Sequence, residues 1–217
     1  MSSLSPLQQA TFSAYAAACA EVPHDFRRGL ILCGGAATIA HGVPERKTED
    51  CDILVTAEVL ALLGDAIDKQ RGGFHRDSDG EVKWNVRDAE GKYEFEIKVE
   101  FVLLGGPFNP RTPDVVGFGE GFVVTLPELV RLRAETLVAR GDGRDYADLR
   151  LLIPVMAQRG LKLPHIGEEE LGTMLKAVGM LKDEDVGGMF IDMLSSFEEG
   201  GRRWSCWRKW AYHFLHS

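Results

Sequence analysis

Two aspartates, Asp50 and Asp52, are separated by one residue at the start of an apolar run that ends at Val55. On a β-strand both side chains would point to the same face, with Cα atoms about 6.5 to 7 Å apart. That spacing lets both carboxylates reach one or two hard cations, and a pair of divalent ions is the standard device for in-line phosphoryl chemistry. The pair predicts a phosphoryl-transfer site, and a solvated strand end is the alternative interpretation of the pair alone.

A glycine pair, Gly34 and Gly35, follows a short apolar run and precedes a stretch that can form a helix. Two glycines at the end of a strand allow a tight turn and a close approach of the backbone. The following helix would offer free N–H groups and the positive end of its dipole to a phosphate. Mg²⁺ prefers carboxylate oxygens together with substrate phosphates. Glycines that bind the phosphate anion, together with aspartates that bind the cations, are typical of a nucleoside triphosphate (NTP) site.

This combination resembles the nucleotidyltransferase superfamily with the polymerase-beta-like fold. The signature of that superfamily is Gly-Gly or Gly-Ser at a helix start, followed by Asp-x-Asp on the next strand. The minimal and antibiotic-modifying branches commonly share the pattern found here, Arg46-x-Thr48-x-Asp50-x-Asp52-Ile53-Leu54-Val55. The resemblance implies transfer of a nucleoside monophosphate from an NTP to an acceptor hydroxyl, with Mg²⁺ as cofactor in a two-metal site.

The resemblance also implies the catalytic residues. Asp50 and Asp52 would bind the metal ions, and a third carboxylate is expected on a later strand between apolar residues. Glu100 fits that place, with Glu96 as the alternative in a shifted register. Glu100 would complete a metal site and accept the proton of the attacking hydroxyl. The family more often has Asp at the third position.

The nucleotide-binding residues follow from the same resemblance. Where many members have a lysine that contacts phosphate, this chain has an arginine on a predicted helix. An arginine still neutralises phosphate charge, although with bidentate geometry. The predicted nucleotide-binding residues are Gly34, Gly35, Arg46, Thr48 and Arg133.

The elements around these residues predict an α/β (α+β) core built on a mixed sheet with flanking helices. A helix over 6–19 is followed by strand, glycine turn and short helix over 29–41, then by a strand over 51–55 and a helix over 57–69. Strands are expected near 74, over 82–86, over 93–104 and over 122–125. A long surface loop is expected over 105–121.

From Pro127 onward the apolar residues recur at helical spacing, which predicts a C-terminal helical region. The predicted domains are a nucleotidyltransferase-like core over 1–126 and a helical region over 127–217. Further helices are expected near 168–180, 183–197 and 203–215. The last of these carries a basic segment with three tryptophans, 202–210, which is interpreted as an amphipathic helix that docks on its own domain, with nucleic-acid contact as the alternative.

Composition limits the class of protein. The chain has 217 residues, 45% hydrophobic and 27% charged, with a net charge of −8. This net negative charge argues against a nucleic-acid-binding protein whose whole surface contacts the phosphate backbone. Four widely spaced cysteines and the lack of a long apolar stretch favour reduced thiols in a cytoplasmic protein without a membrane span.

The acceptor could be a small molecule, a tRNA end or a protein side chain as in toxin-type members. A small-molecule acceptor is favoured, because net charge −8 suits a cationic one and no long basic face is present. The alternative function is a catalytically inactive nucleotidyltransferase-like module that binds a nucleotide or a protein partner.

Overall fold

The computed structural model describes residues 4–87, 94–106, 112–163 and 167–194. The chain forms two compact units, Met1–Thr125 and Leu126–Ser217. The helices described in the first unit are α1 (Pro6–Glu21), α2 (Gly34–Ala40) and α3 (Ala57–Asp68), with short 3-10 turns at His24–Gly29 and Arg71–Gly73. Its strands are β1 (Leu30–Leu32), β2 (Asp50–Val55), β3 (Phe74–Arg76), β4 (Val82–Arg87), β5 (Glu94–Leu103), β6 (Val115–Phe118) and β7 (Gly121–Val124).

The seven strands form one mixed sheet in the order β3-β4-β5-β2-β1-β7-β6. Strand β2 runs parallel to β5, and β1 runs parallel to β7. The other four neighbouring pairs are antiparallel. The predicted mixed sheet with flanking helices is therefore confirmed.

A large part of the apolar core lies on one face of this sheet. Cys51, Ile53 and Val55 of β2 are fully buried, and Ile97 and Val99 of the neighbouring β5 are buried on the same face. Helix α1 packs against β2 and β5, and α3 packs against β3 and β5. On the other face, the residues that alternate with them at this end of the two strands are polar, namely Asp50, Asp52, Glu96, Lys98 and Glu100, whereas Leu54 further along β2 is buried.

Tyr15 of α1 joins the two parallel strands β1 and β7. Its hydroxyl oxygen lies 3.1 Å from the carbonyl oxygen of Leu30 and 2.6 Å from that of Phe122, and it accepts a hydrogen bond from the Phe122 N–H at 2.7 Å. Burial raises the pKa of this phenol above its ordinary value. A β-carbon at Gly121 would lie 2.3 Å from the Tyr15 hydroxyl, so only glycine leaves room for this contact.

The long loop predicted over 105–121 is wrong in part, because the structure places β6 inside it. Strand β6 pairs with β7 through a tight turn in which Gly119 has φ +56°. The strand is short and lies at the edge of the sheet, and Val116 is half exposed. Its two valines sit among glycines and prolines, so the local pattern predicts a loop, whereas pairing with β7 decides the outcome.

The second unit is helical over the residues that the structure describes, as the sequence predicts. Its helices are α4 (Leu126–Arg140), α5 (Gly143–Gln158), α6 (Glu168–Met180) and α7 (Glu184–Leu194). Asp142 caps α5 by accepting a hydrogen bond from the Arg144 N–H at 2.8 Å. In α4 the buried Arg131 donates to the buried Glu128 carboxylate at 2.7 Å.

Two predictions reach beyond these residues. The helix predicted over 203–215 and the tryptophan-rich segment 202–210 lie outside the described residues. None of the helices in the described ranges is long and apolar enough to cross a membrane.

Candidate functional site

Strand β2 begins with the two predicted metal-binding aspartates. Asp50 and Asp52 are half-buried and lie on the polar face of the sheet, whereas Cys51 between them is fully buried on the apolar face. The alternation expected from the sequence is therefore confirmed. Burial, together with the neighbouring Asp52 charge, raises the pKa of the Cys51 thiol well above its ordinary value. This thiol remains neutral and is a core side chain rather than a nucleophile.

Gly34 provides the space for the Asp52 carboxylate. A β-carbon on Gly34 would lie 1.7 Å from Asp52 Oδ2 and 2.6 Å from its Cγ. Gly34 also has φ +66°, a left-handed conformation that favours glycine. The backbone holds the two segments together, because the Cys33 N–H donates to the Asp52 carbonyl at 2.9 Å. The turn and the second aspartate are thus packed as one unit.

Gly35 makes a matching contact with the predicted nucleotide-binding residue Thr48. A β-carbon on Gly35 would lie 2.7 Å from Thr48 Oγ1, and Arg46 Nη2 would be 3.6 Å from it. The Thr48 hydroxyl donates to the Asp50 carbonyl at 3.1 Å and accepts from the Asp50 N–H at 3.4 Å. Thr48 therefore positions the backbone of the first aspartate beside the glycine turn.

The loop before β2 is anchored by Gln8, a residue that the sequence did not single out as functional. Gln8 Nε2 donates to the carbonyl oxygens of Pro44, at 2.8 Å, and Arg46, at 3.0 Å. Its Oε1 accepts from the N–H of Ser5 in the capping box of α1. The capping box is visible in the sequence, but the long-range pair of bonds that fixes the Arg46 loop is not.

Strand β5 places the third predicted carboxylate beside the second. The parallel register pairs Asp52 with Glu100 and Asp50 with Lys98, and register partners on neighbouring strands lie about 4.8 Å apart. Glu100 is exposed on the same polar face. The alternative, Glu96, pairs with Asn85 of β4, and its Oε2 lies 3.7 Å from His75 Nε2. Of the two candidates, the register brings Glu100 to Asp52.

Lys98, on the polar face of β5, is another residue that the sequence analysis did not single out. Its Nζ donates to Glu81 at 2.6 Å, and Lys83 donates to the other oxygen of the same carboxylate at 2.8 Å. The hydrogen bonds from Lys83 and Lys98 lower the pKa of Glu81 to about 2. The hydrogen bond to Glu81, with the nearby Glu100 and Asp50 charges, raises the pKa of Lys98. The alternating charges along β5 were a signal that could have found it.

Asp50, Asp52 and Glu100 offer the oxygen ligands that a magnesium ion shared with the substrate would need. Three carboxylates share one face, and like charges placed opposite each other on neighbouring strands are destabilising unless a cation compensates them. In the described part of the chain no three Asp, Glu, His or Cys side chains converge closely enough to hold an ion on their own. Mg²⁺ typically takes one or two carboxylates and completes its shell with phosphate oxygens and water. A metal site of this kind would be open and would depend on the nucleotide.

The structure places Arg133 in the second unit with buried partners of its own. Its Nη1 lies 3.0 Å from Asp145 Oδ1, and its Nη2 lies 3.1 Å from Asp148 Oδ2. The side chain of Asp148 is fully buried and that of Asp145 is nearly so. This arginine thus joins α4 to α5, and its contact with phosphate stays a prediction.

The structure also contains a pocket of about 420 Å³ just beyond the C-terminal ends of β2 and β5. It includes none of the residues predicted to bind nucleotide or metal. Its lining residues are Arg28, Gly29, Thr56, Leu104, Gly105 and Thr112.

Comparison with solved structures identifies the fold. An antigenic nucleotidyltransferase-like protein from Paracoccidioides brasiliensis superposes with a TM-score of 0.57 and 16% identity, over 86% of this chain and 94% of that one. JHP933 from Helicobacter pylori matches with a TM-score of 0.50 and 14% identity, over 99% and 95% of the two chains. A putative nucleotidyltransferase from H. pylori gives 0.50 and 14%, over 98% and 93%.

No family model matches the chain, and no curated protein matches it. At these identities the structural likeness establishes the fold. The fold is nucleotidyltransferase-like, as the sequence motifs predicted.

Proposed function

We propose that this protein transfers a nucleoside monophosphate from an NTP to an acceptor hydroxyl and that the reaction depends on a divalent metal ion. The observation that carries the proposal is the placement of Asp52. Its carboxylate fills the space above Gly34, and Glu100 is its register partner on β5. Nucleotidyl transfer needs a turn that binds the phosphates and carboxylates that bind the metal ion, and here the turn and the Asp52 carboxylate are in direct contact.

Each residue has a role in this proposal. Asp50, Asp52 and Glu100 would hold Mg²⁺, which when bound would offset the negative charge that develops on the triphosphate. Because Gly34 and Gly35 have no side chains, Asp52 and Thr48 pack directly against the turn, where the phosphates would bind, and Arg46 lies beside Gly35. Arg46 would add positive charge there, and the Thr48 hydroxyl keeps Asp50 in place.

The transfer step is an in-line displacement at the α-phosphorus. The acceptor oxygen forms a bond to the α-phosphorus, the bond from that phosphorus to the bridging oxygen breaks, and pyrophosphate leaves. Glu100 is exposed on the polar face, where an acceptor can approach it. Its carboxylate would accept the proton that the attacking hydroxyl loses, a role suited to a carboxylate near the reacting oxygen.

For the acceptor we favour a small cationic molecule over a tRNA end or a protein side chain. The net charge of −8 attracts cations and repels polynucleotides at long range. The polar face that holds Asp50, Asp52 and Glu100 also carries the exposed Glu96 on β5, so an approaching amine would meet several carboxylates.

Pyrophosphate release tests this proposal. The full chain is incubated with each of the four NTPs and Mg²⁺ in the presence of a polycationic amino sugar, a tRNA or a hydroxyl-bearing peptide. The expected result is release with at least one NTP, with the amino sugar as acceptor. Asp50→Asn and Asp52→Asn should abolish it, whereas Asp68→Asn makes the same charge change at the exposed end of α3 and should not. Full activity in the two site variants would reject the assignment.

A second candidate is a catalytically inactive module of the same fold that binds a nucleotide. The observation that favours it is the absence of a converged three-ligand cluster in the described residues. The longer glutamate at position 100, where the family more often has Asp, points in the same direction. Metal-dependent nucleotide binding without pyrophosphate release over hours would support this candidate and reject catalysis.

A further inference from the structure

Gln8 connects the first turn of α1 to the loop that carries Arg46. The residue is polar but only 6% exposed. Its amide nitrogen donates to the carbonyl oxygens of Pro44 and Arg46, and its amide oxygen accepts from the Ser5 N–H at 2.8 Å. Both amide hydrogens and the amide oxygen are therefore in use. Any rotation of this side chain breaks at least one of the three bonds, so the start of the helix and the loop are held in one relative position.

The Arg46 guanidinium extends from this loop to the glycine turn. Its Nη1 donates to the Lys47 carbonyl, and its Nη2 lies 3.6 Å from the position that a β-carbon of Gly35 would take. The guanidinium is thus held against its own loop, on the side where the phosphates would bind. Its position relative to Gly35 therefore depends on the backbone of the loop, which Gln8 holds at two carbonyl groups.

The loop needs such support from outside. Residues 41–49, all within the described part of the chain, belong to no helix or strand. A loop without a ladder of backbone bonds moves more freely than the elements that it connects. An arginine that is fixed on a phosphate loses conformational entropy, and this cost is smaller when the side chain is already positioned. Bonds that restrain the Arg46 backbone before the nucleotide arrives should therefore strengthen phosphate binding.

We propose that Gln8 is a positioning residue for the triphosphate site and that it acts through Arg46. This inference rests on the proposed function, in which Arg46 adds positive charge beside the glycine turn. The polar atoms of the Gln8 side chain are all engaged, so Gln8 acts on the nucleotide only through the loop. Loss of its two donors should weaken NTP binding even though the metal-binding carboxylates are unchanged.

A double-mutant cycle on NTP affinity tests this role. Titration calorimetry measures the Kd of the full chain for each of the four NTPs with Mg²⁺, for wild type, Gln8→Met, Arg46→Met and the double variant. Loss of an arginine that bonds to phosphate should raise the Kd about 10- to 150-fold. Methionine at position 8 keeps the length of the side chain but has no donor, and it should raise the Kd about 3- to 10-fold. In the Arg46→Met background the same substitution should add nothing, because residues that act through one contact are coupled.

Two control variants separate positioning from stability. Gln9→Met makes the same change at the adjacent, exposed position of α1 and should leave the Kd unchanged. Val59→Ala removes part of a fully buried side chain of α3 that lies beside Gly29, next to the C-terminal end of β2, whereas the Arg46 loop precedes the N-terminal end of β2. It should lower the free energy of unfolding and leave the Kd unchanged. A Gln8 with a merely structural role would behave like Val59.

The outcomes separate this inference from the proposed function. A Kd of Gln8→Met equal to that of wild type, or the same fold increase in both backgrounds, would overturn the role of Gln8. An Arg46→Met chain that binds as tightly as wild type would overturn it as well. NTP binding without pyrophosphate release would reject the proposed catalysis and leave this inference intact, whereas no NTP binding in the wild-type chain would reject both. If Gln8→Met fails to fold, Gln8→Glu repeats the test, because it keeps an oxygen for the Ser5 N–H and removes the amide donors.

Discussion

The carboxylate of Asp52 occupies the space in which Gly34 would carry its β-carbon. Asp52 Oδ2 lies 1.7 Å from that ideal position, far inside van der Waals contact. The two residues are distant in sequence but adjacent in space where the chain passes from β1 into α2, and the Cys33 N–H there donates to the Asp52 carbonyl. The glycine is thus required by the aspartate, and the aspartate has its position because the glycine has no side chain.

Gly34→Ala should therefore destabilise the protein and abolish metal-dependent nucleotide binding. The left-handed backbone costs an L-residue about 1–2 kcal/mol, and overpacking against Asp52 adds about 1–3 kcal/mol. Denaturant unfolding measures the loss. Gly64→Ala is the matched control, because a β-carbon there meets nothing within 4 Å inside α3. That variant should gain about 0.4–1 kcal/mol. Equal effects of the two substitutions would contradict the contact.

Gln8→Ala should loosen the loop that carries Arg46. The substitution leaves the carbonyl oxygens of Pro44 and Arg46 without their Gln8 donor. A buried acceptor that loses its partner costs about 1–3 kcal/mol, which denaturant unfolding should show. Gln9→Ala removes the same side chain from the adjacent, exposed position of α1 and should change the free energy of unfolding by less than about 0.5 kcal/mol. A Gln8 variant as stable as the Gln9 variant would refute the anchoring role.

Arg133→Met should lower the free energy of unfolding. It leaves the buried carboxylates of Asp145 and Asp148 without this guanidinium, and breaking a buried ion pair costs about 3–5 kcal/mol. Arg140→Met changes the same residue type at an exposed position of α4 and should cost much less. If the main partner of Arg133 were instead a phosphate, the variant would unfold like the wild type and lose nucleotide affinity.

Because of Glu81, the free energy of unfolding should depend on pH below 4.5, the ordinary pKa of this carboxyl. Hydrogen bonds from Lys83 and Lys98 lower that pKa from 4.5 to about 2 in the folded chain. A lowered folded-state pKa contributes stability that is complete above 4.5 and is lost as the pH falls towards 2. The stability difference between wild type and Glu81→Gln should therefore be largest above pH 5 and shrink towards pH 3. Urea unfolding measures it, with Glu49→Gln as the charge-matched control. A difference that is constant with pH would disprove the linkage.

The sequence predicted the parts of the site that are encoded locally. The alternation of Asp50, Cys51 and Asp52 gives the faces of β2, because successive strand residues point to opposite sides. The pairing of Asp52 with Glu100 depends on strand register, for which the sequence favoured Glu100 and kept Glu96 as the alternative. The structure decides it through the parallel β2–β5 ladder.

Contacts between distant segments were not predictable in the same way. Gln8 has a local role in the capping box of α1, and its bonds to the Arg46 loop exist only because the fold brings the two together. Lys98 was visible as a charge on β5, but its place beside Asp50 and its bond to Glu81 follow from the pairing of four strands. Strand β6 was missed because an edge strand among glycines has little local signal.

The most direct test of the central claim is nucleotide binding that depends on both the metal and Asp52. Thermal unfolding of the full chain is measured with each of the four NTPs, with and without Mg²⁺, for wild type, Asp52→Asn and Asp68→Asn. The account predicts that at least one NTP raises the melting temperature of wild type and Asp68→Asn only when Mg²⁺ is present, and that Asp52→Asn shows no such rise, since a ligand stabilises the state that binds it. An unchanged rise in Asp52→Asn, or no rise with any NTP in the wild-type chain, would contradict it.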